Sequence, residues 1–133
     1  MKSFDTNVAL RLVVEDDPAQ CERAGRAFRR AVAEGGVFFS ATVLVEVAWV
    51  LRVAFKQERA TITAALRKLV DGPGVTVEHD AVVRRAIVGY EAGAADFSDY
   101  FIRESSREAS ALPVLTFDER FARGADVELV PET

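Results

Sequence analysis

The sequence predicts a small α/β domain of three layers, with a mostly parallel sheet of about five strands. Three observations predict it. Short apolar runs recur along the chain: Val37-Phe38-Phe39, Val75-Thr76-Val77 and Val114-Leu115-Thr116. Helix-period stretches separate them, and that alternation implies parallel strands covered by helices on both faces. Finally, 133 residues, half of them hydrophobic, suffice for one core and favour a single domain over 1–133.

In chain order, Phe4 closes a very short apolar start, and helical periodicity follows from Val8 to about Val14. Asp16-Asp17-Pro18 is a helix start, with Asp as cap and Pro in the first turn. That helix runs to about Glu34, with Ala24, Ala27, Phe28 and Ala31 on one face, and Gly35-Gly36 ends it. The run 37–39 is continuous and apolar, as in a strand buried on both faces. Ser40 caps a helix over roughly Thr42 to Phe55, and Thr61 or Thr63 starts another that ends near Asp71. After Gly72-Pro73-Gly74 comes the strand 75–77, and Asp80 then caps a helix to about Ala92. A further helix covers Asp96 to about Ser110. Pro113 precedes the strand 114–116, Asp118 begins a short helix, and Val127 to Val130 forms a last edge strand.

Composition removes several classes of function. A single Cys (Cys21) excludes an internal disulfide, and with a single His (His79) it excludes a Cys/His zinc site. No apolar run is long enough to span a bilayer, and no signal peptide is evident, so the cytoplasm is the expected compartment. A net charge of −4 does not suit gripping nucleic acid by bulk charge, so any such contact must come from local patches. The basic residues are fourteen Arg and three Lys.

In open parallel sheets, ligands sit at the carboxyl ends of the strands. Asp5 follows the first strand and Asp118 follows the fourth. Glu46 lies in the helix after the second strand, on an element whose neighbours Val43, Leu44, Val47, Val50 and Leu51 make it largely buried. Asp96 and Asp99 are three apart and share one face of a helix start. Each acid has a purely structural alternative: a turn for Asp5, caps for Asp96 and Asp118, and complementing the helix dipole for Asp99. Together they are harder to explain away. Two unit charges near 4 Å repel by about 4 kcal/mol at an effective dielectric of 20. Such a cluster must hold protons or bind a cation. Its all-oxygen donor set suits Mg²⁺ or Mn²⁺, and such an ion suits attack on a phosphate.

Four segments then carry a resemblance. Phe4-Asp5-Thr6-Asn7-Val8-Ala9-Leu10-Arg11, Ser40 through Arg52, Gly93-Ala94-Ala95-Asp96-Phe97-Ser98-Asp99-Tyr100-Phe101-Ile102 and Leu115-Thr116-Phe117-Asp118 resemble the PIN-domain nucleases. Within these they look like the VapC-like toxin ribonucleases of bacterial toxin–antitoxin pairs. The resemblance implies a PIN-like fold and a Mg²⁺-dependent endoribonuclease, with Mn²⁺ able to substitute. It makes Asp5, Glu46, Asp99 and Asp118 the catalytic, metal-holding acids and Asp96 an accessory one. Thr6, Asn7 and Thr116 would orient them, or simply hydrogen-bond in turns. It further implies an RNA substrate (tRNA, rRNA or mRNA), a homodimer and a cognate antitoxin. Lys2-Ser3-Phe4 is less apolar than the family's usual first strand, and Ala9 is small for its place.

Outside those segments, Arg23, Arg26 and Arg30 fall at helical spacing, as do Arg52, Lys56 and Arg59. They are candidate RNA-facing patches, with a solvated helix face as the alternative. Trp49 and Phe55 are separated by about 240° round a helix and form no single stripe. Core packing is expected for them, with a contact surface as the alternative. His79 reads as a loop residue and Cys21 as a packed or exposed thiol. A catalytically weak PIN-like binding module is one rival reading. A phosphoacceptor receiver domain is another, but no Lys follows Lys68 to pair with a phosphorylated Asp.

Overall fold

The computed structural model describes residues 1–133. The chain divides into two compact units, Met1–Asp80 and Ala81–Thr133.

The first unit comprises β1 (Lys2–Ser3), α1 (Thr6–Arg11), α2 (Pro18–Ala33), β2 (Val37–Phe39), α3 (Ala41–Val53), α4 (Arg59–Val70) and β3 (Val75–Val77). Its strands form a parallel sheet in the order β1-β2-β3, with Val37 opposite Lys2 on one side and Val75 on the other. The central strand is the apolar run 37–39, and Val37 and Phe39 are fully buried there. Gly36 leads into it with φ +116°, and a Cβ there would stand 2.7 Å from the Gly74 carbonyl, so only glycine lets β2 and β3 begin side by side.

Caps fix the helix starts. Asp17 accepts the Gln20 N–H at 3.1 Å beside the N-terminal Pro18 of α2. Ser40 accepts the Val43 N–H at 3.3 Å, and Glu78, just past β3, accepts the Ala41 N–H at 2.9 Å, so two side chains hold the start of α3. Leu44, Val47 and Leu51 of α3 and Ile62 and Leu66 of α4 are completely buried. Phe4 meets Phe28 and Phe39 edge-on, each at 6.2 Å between ring centroids. Cys21 is half-buried and its thiol donates to the Val14 carbonyl.

Three boundaries differ from the sequence reading. Helix α1 begins at Thr6, before Val8, because Asp5 serves as its cap, and it stops at Arg11. Helix α4 starts at Arg59 rather than at Thr61 or Thr63. Trp49 does not pack into the core: it is 57% exposed, one turn from the exposed Val53. Phe55, beyond the end of α3, is half-buried.

Residues of the second unit form α5 (Asp80–Ala92, beginning on the last residue of the first unit), α6 (Phe97–Glu108), β4 (Val114–Thr116), a 3₁₀ turn at Phe121–Arg123 and β5 (Val127–Leu129). Strands β4 and β5 pair in parallel, Val114 opposite Val127. Edge-on ring pairs Tyr90–Phe97 at 6.1 Å and Tyr100–Phe121 at 5.6 Å fill the interior. Glu104 of α6 is buried and ringed by Arg103 at 3.0 Å, Arg107 at 3.2 Å and Arg85 of α5 at 3.4 Å.

The expected α/β architecture is therefore present, but its five strands form two parallel sheets, of three and of two strands, in place of the single sheet expected. Strands of two or three residues make few ladder bonds each, and alternation of strands and helices does not by itself specify which strands pair. No helix is long and apolar enough to cross a membrane.

Candidate functional site

Each candidate acid sits at the start of a helix or turn, or on a helix face. Asp5 follows β1 and caps α1: its Oδ1 accepts the Val8 N–H at 3.0 Å. Thr6 and Asn7 are the first two residues of that helix. Glu46 lies in the middle of α3, but it is exposed. Of the apolar neighbours cited for its burial, Leu44, Val47 and Leu51 turn to other faces of the helix, whereas Val43 and Val50 border Glu46 without covering it, so the expectation of a buried acid does not hold.

In the second unit Asp96 caps α6 and Asp99 lies in its first turn. The Asp99 Oδ2 turns back to accept the Asp96 N–H at 3.0 Å. Asp118 lies just beyond β4. Its own N–H donates to the Thr116 Oγ1 at 3.0 Å, and its Oδ1 accepts from the Arg120 N–H at 2.8 Å and the Phe121 N–H at 3.4 Å, at the entry to the 3₁₀ turn. Structural roles are thus real for four of the acids: Asp5 caps a helix where a turn was the alternative, Asp96 caps α6 as its alternative had it, Asp99 closes the capping box, and Asp118 holds the entry to the 3₁₀ turn.

Capping does not exhaust these carboxylates. Asp5, Asp99 and Asp118 each spend one oxygen on backbone N–H groups, and the other remains to accept from water or face a cation. A side chain pinned in this way presents its second oxygen in a fixed direction.

Asp99 also feels the other acids of the second unit. Burial pushes the Asp99 carboxyl above its ordinary pKa of 3.8, and the charges of Asp96 and Asp118 push it further, against the opposing effect of the Asp96 N–H and the Arg120 guanidinium. Arg120 lies 3.8 Å from Asp118. The structure thereby brings Asp99 within electrostatic reach of both Asp96 and Asp118 in the second unit. Asp5 and Glu46 belong to the first unit.

No three acidic, His or Cys side chains close in tightly enough to hold an ion as they stand. What fits a hard divalent cation is the donor chemistry: carboxylate oxygens only, with Asp99 penalised for its charge by burial and by Asp96 and Asp118.

Tyr100 is a positioning residue that the sequence reading passed over. Its hydroxyl accepts the N–H groups of Ala94 at 3.0 Å and Ala95 at 3.1 Å, which fixes the loop entering Asp96. Gly93 makes room for it, since a Cβ there would stand 1.9 Å from the hydroxyl oxygen. The run Gly93-Ala94-Ala95 ahead of the cap was the available signal: three small residues where a ring tucks in.

Of the basic candidates, Arg23, Arg26 and Arg30 are exposed on α2, whereas Arg52 is at the end of α3 and Lys56 beyond it, both exposed; Arg59 opens α4. His79 is an exposed loop residue before α5, in the left-handed region with φ 52°.

The sequence model of the PIN domain family matches residues 3–127 of the chain, which takes in all five candidate acids. No curated protein matches the chain.

Proposed function

The chain belongs to the PIN-domain family, and from that premise we propose that it is a Mg²⁺-dependent endoribonuclease, the toxin of a VapC-like toxin–antitoxin pair. The observation that carries the reading is that Asp99, partly buried at the start of α6, stands within reach of the charges of Asp96 and Asp118 in a chain whose family consists generally of nucleases. Asp5, Glu46, Asp99 and Asp118 are the metal-holding, catalytic acids, with Asp96 in support. When bound, a hard divalent ion, Mg²⁺ or Mn²⁺, supplies Lewis acidity that makes water a better nucleophile and offsets charge on the phosphate oxygens.

The protein's own groups do the rest. Backbone N–H groups pin Asp5, Asp99 and Asp118, so their second oxygens need little reorganisation during reaction. One of the acids takes the proton of the attacking water. Thr116 steadies the turn that carries Asp118, and Thr6 and Asn7 follow Asp5 in the first turn of α1. Arg23, Arg26, Arg52 and Lys56 contact the RNA, which is a tRNA, rRNA or mRNA. The protein acts in the cytoplasm as one PIN domain per chain, forms a homodimer and is restrained by an antitoxin. The exposed Trp49 and Val53 on α3 supply an apolar contact of the kind a protein partner covers.

The test is RNA cleavage with Mg²⁺ or Mn²⁺, with and without chelator. The parent cuts only with metal, and Asp5→Ala and Asp99→Ala cut at least about 10²-fold more slowly. Equal cutting by both variants and the parent overturns the site assignment.

A further inference from the structure

Five arginines converge on one groove of the first unit. A cleft of about 810 Å³ between α1 and α2 is lined by Arg11, Arg23, Arg26, Arg29 and Arg30, and none of its lining residues is acidic. In a chain of net charge −4, that segregation is a local positive field. A second groove continues from it: the two share Val8, Ala27 and Arg30, and the second is lined by Asp5. The two grooves thus adjoin along those residues, and the second holds Lys2 and Glu34 beside the acid that caps α1.

We propose that this groove is the track of a single-stranded RNA backbone, in which Arg23, Arg26 and Arg30 contact successive phosphates and lead the strand to Asp5. The inference rests on the endoribonuclease reading and adds the route of the substrate to it. Arginines three and four apart on α2 lie along one face, at intervals of one turn, about 5.4 Å. That is close to the spacing of phosphates along a strand. Their present partners do not compete strongly: Arg26 pairs with Glu22 and Arg30 with Glu34, both exposed pairs one turn apart, a class that contributes little. Arg11 is different. It is held by Asp16 at 2.7 Å and Gln20 at 2.9 Å, so it shapes the wall where α1 meets α2.

The experiment measures binding of a labelled single-stranded RNA oligonucleotide to the Asp99→Asn protein, alone and with Arg23→Gln, Arg26→Gln, Arg30→Gln or all three. Salt is varied from about 50 to about 200 mM. Each substitution lowers the slope of log affinity against log salt by about 0.7, and the triple variant by about 2. Arg26→Lys restores the slope that Arg26→Gln loses, because the charge is what releases counterions. In otherwise unaltered protein, the triple variant shows a raised KM with a much smaller change in kcat. If the parent cuts RNA and the triple variant binds it with the parent's slope, the groove proposal is overturned and the nuclease reading stands. If the parent neither binds nor cuts RNA, both fall. If the triple variant loses binding of polyglutamate but not of RNA, the groove serves an acidic polypeptide and the proposal is likewise overturned.

Discussion

The Asp99 carboxylate accepts the backbone N–H of Asp96 at 3.0 Å, so one acid both stabilises the start of its own helix and stands among like charges. These two roles separate on substitution. Asn keeps an acceptor oxygen for the Asp96 N–H and removes the charge; Ala removes both. Because burial and the charges of Asp96 and Asp118 raise the folded-state pKa of Asp99, the folded protein loses stability as pH climbs from the ordinary 3.8 through that raised value. At neutral pH the penalty is fully present. In chelator, Asp99→Asn therefore melts at or above the parent temperature at pH 7, while Asp99→Ala forfeits a cap worth about 1 kcal/mol. Neither cuts RNA. A large fall in melting temperature for the Asn variant would mark the residue as structural only.

Tyr100 reaches the same region through its hydroxyl. Tyr100→Phe leaves the ring against Phe121 but strips the Ala94 and Ala95 N–H groups of their acceptor. The expected cost is about 1–3 kcal/mol, set by desolvated donors. The loop into Asp96 loosens, so kcat falls while KM for RNA changes little. Gly93→Ala fails more completely, because its methyl would overlap the Tyr100 oxygen. Circular dichroism melts and steady-state kinetics of the two variants check both statements.

How legible this was depended on the range of the interaction concerned. Strands at 37–39, 75–77 and 114–116 were readable because short apolar or β-branched runs that follow directly on Gly or Pro have few other solutions. The helix at Pro18 was readable because Asp17 and Pro18 are local signals. Glu46 was misjudged: the richness of α3 in Val and Leu describes the helix average, and exposure is decided by the phase of one residue about the axis. Trp49 shows the same limit from the apolar side, exposed despite its chemistry. Arg23, Arg26 and Arg30 were readable as a patch at helical spacing, but the groove they line with Arg11, and the Tyr100 contact, escaped because they are made by side chains meeting in space, between two helices in one case and across a loop in the other.

Thr63 offers a cleaner stability test. Its hydroxyl is buried in α4, with the residue 1% exposed, and it has no hydrogen-bond partner. An unpaired buried hydroxyl costs about 1–3 kcal/mol. Val has nearly the same shape and nothing to satisfy. Thr63→Val should raise stability by about 1 kcal/mol, read as a higher denaturation midpoint at unchanged m-value. A lower midpoint would mean that the hydroxyl finds a partner in solution.

Glu104 sets the acid limb of the stability profile. Burial by itself would raise its pKa, but hydrogen bonds from Arg107 and Arg103, together with their charges, outweigh burial and hold the carboxyl below its ordinary 4.5. The sign is opposite to that of Asp99. Stability from Glu104 is fully present above about pH 4.5 and is lost as pH falls from there through the depressed folded-state value. The stakes are structural, since Glu104 ties α5 to α6 through Arg85, and its partner Arg107 reaches on to Asp126 at 2.8 Å, just ahead of β5. Glu104→Gln retains the shape but leaves three guanidiniums gathered around a neutral group. Because Arg85 and Arg107 are partly exposed and can rehydrate, the loss should be about 2–3 kcal/mol, below that of a fully buried broken pair. Urea denaturation at pH 7 and at several points below pH 4.5 distinguishes the outcomes: the parent loses stability across that acid range, and the Gln variant, already weaker at neutrality, loses less. Parallel profiles for the two proteins would show that the ion cluster contributes nothing to the acid limb.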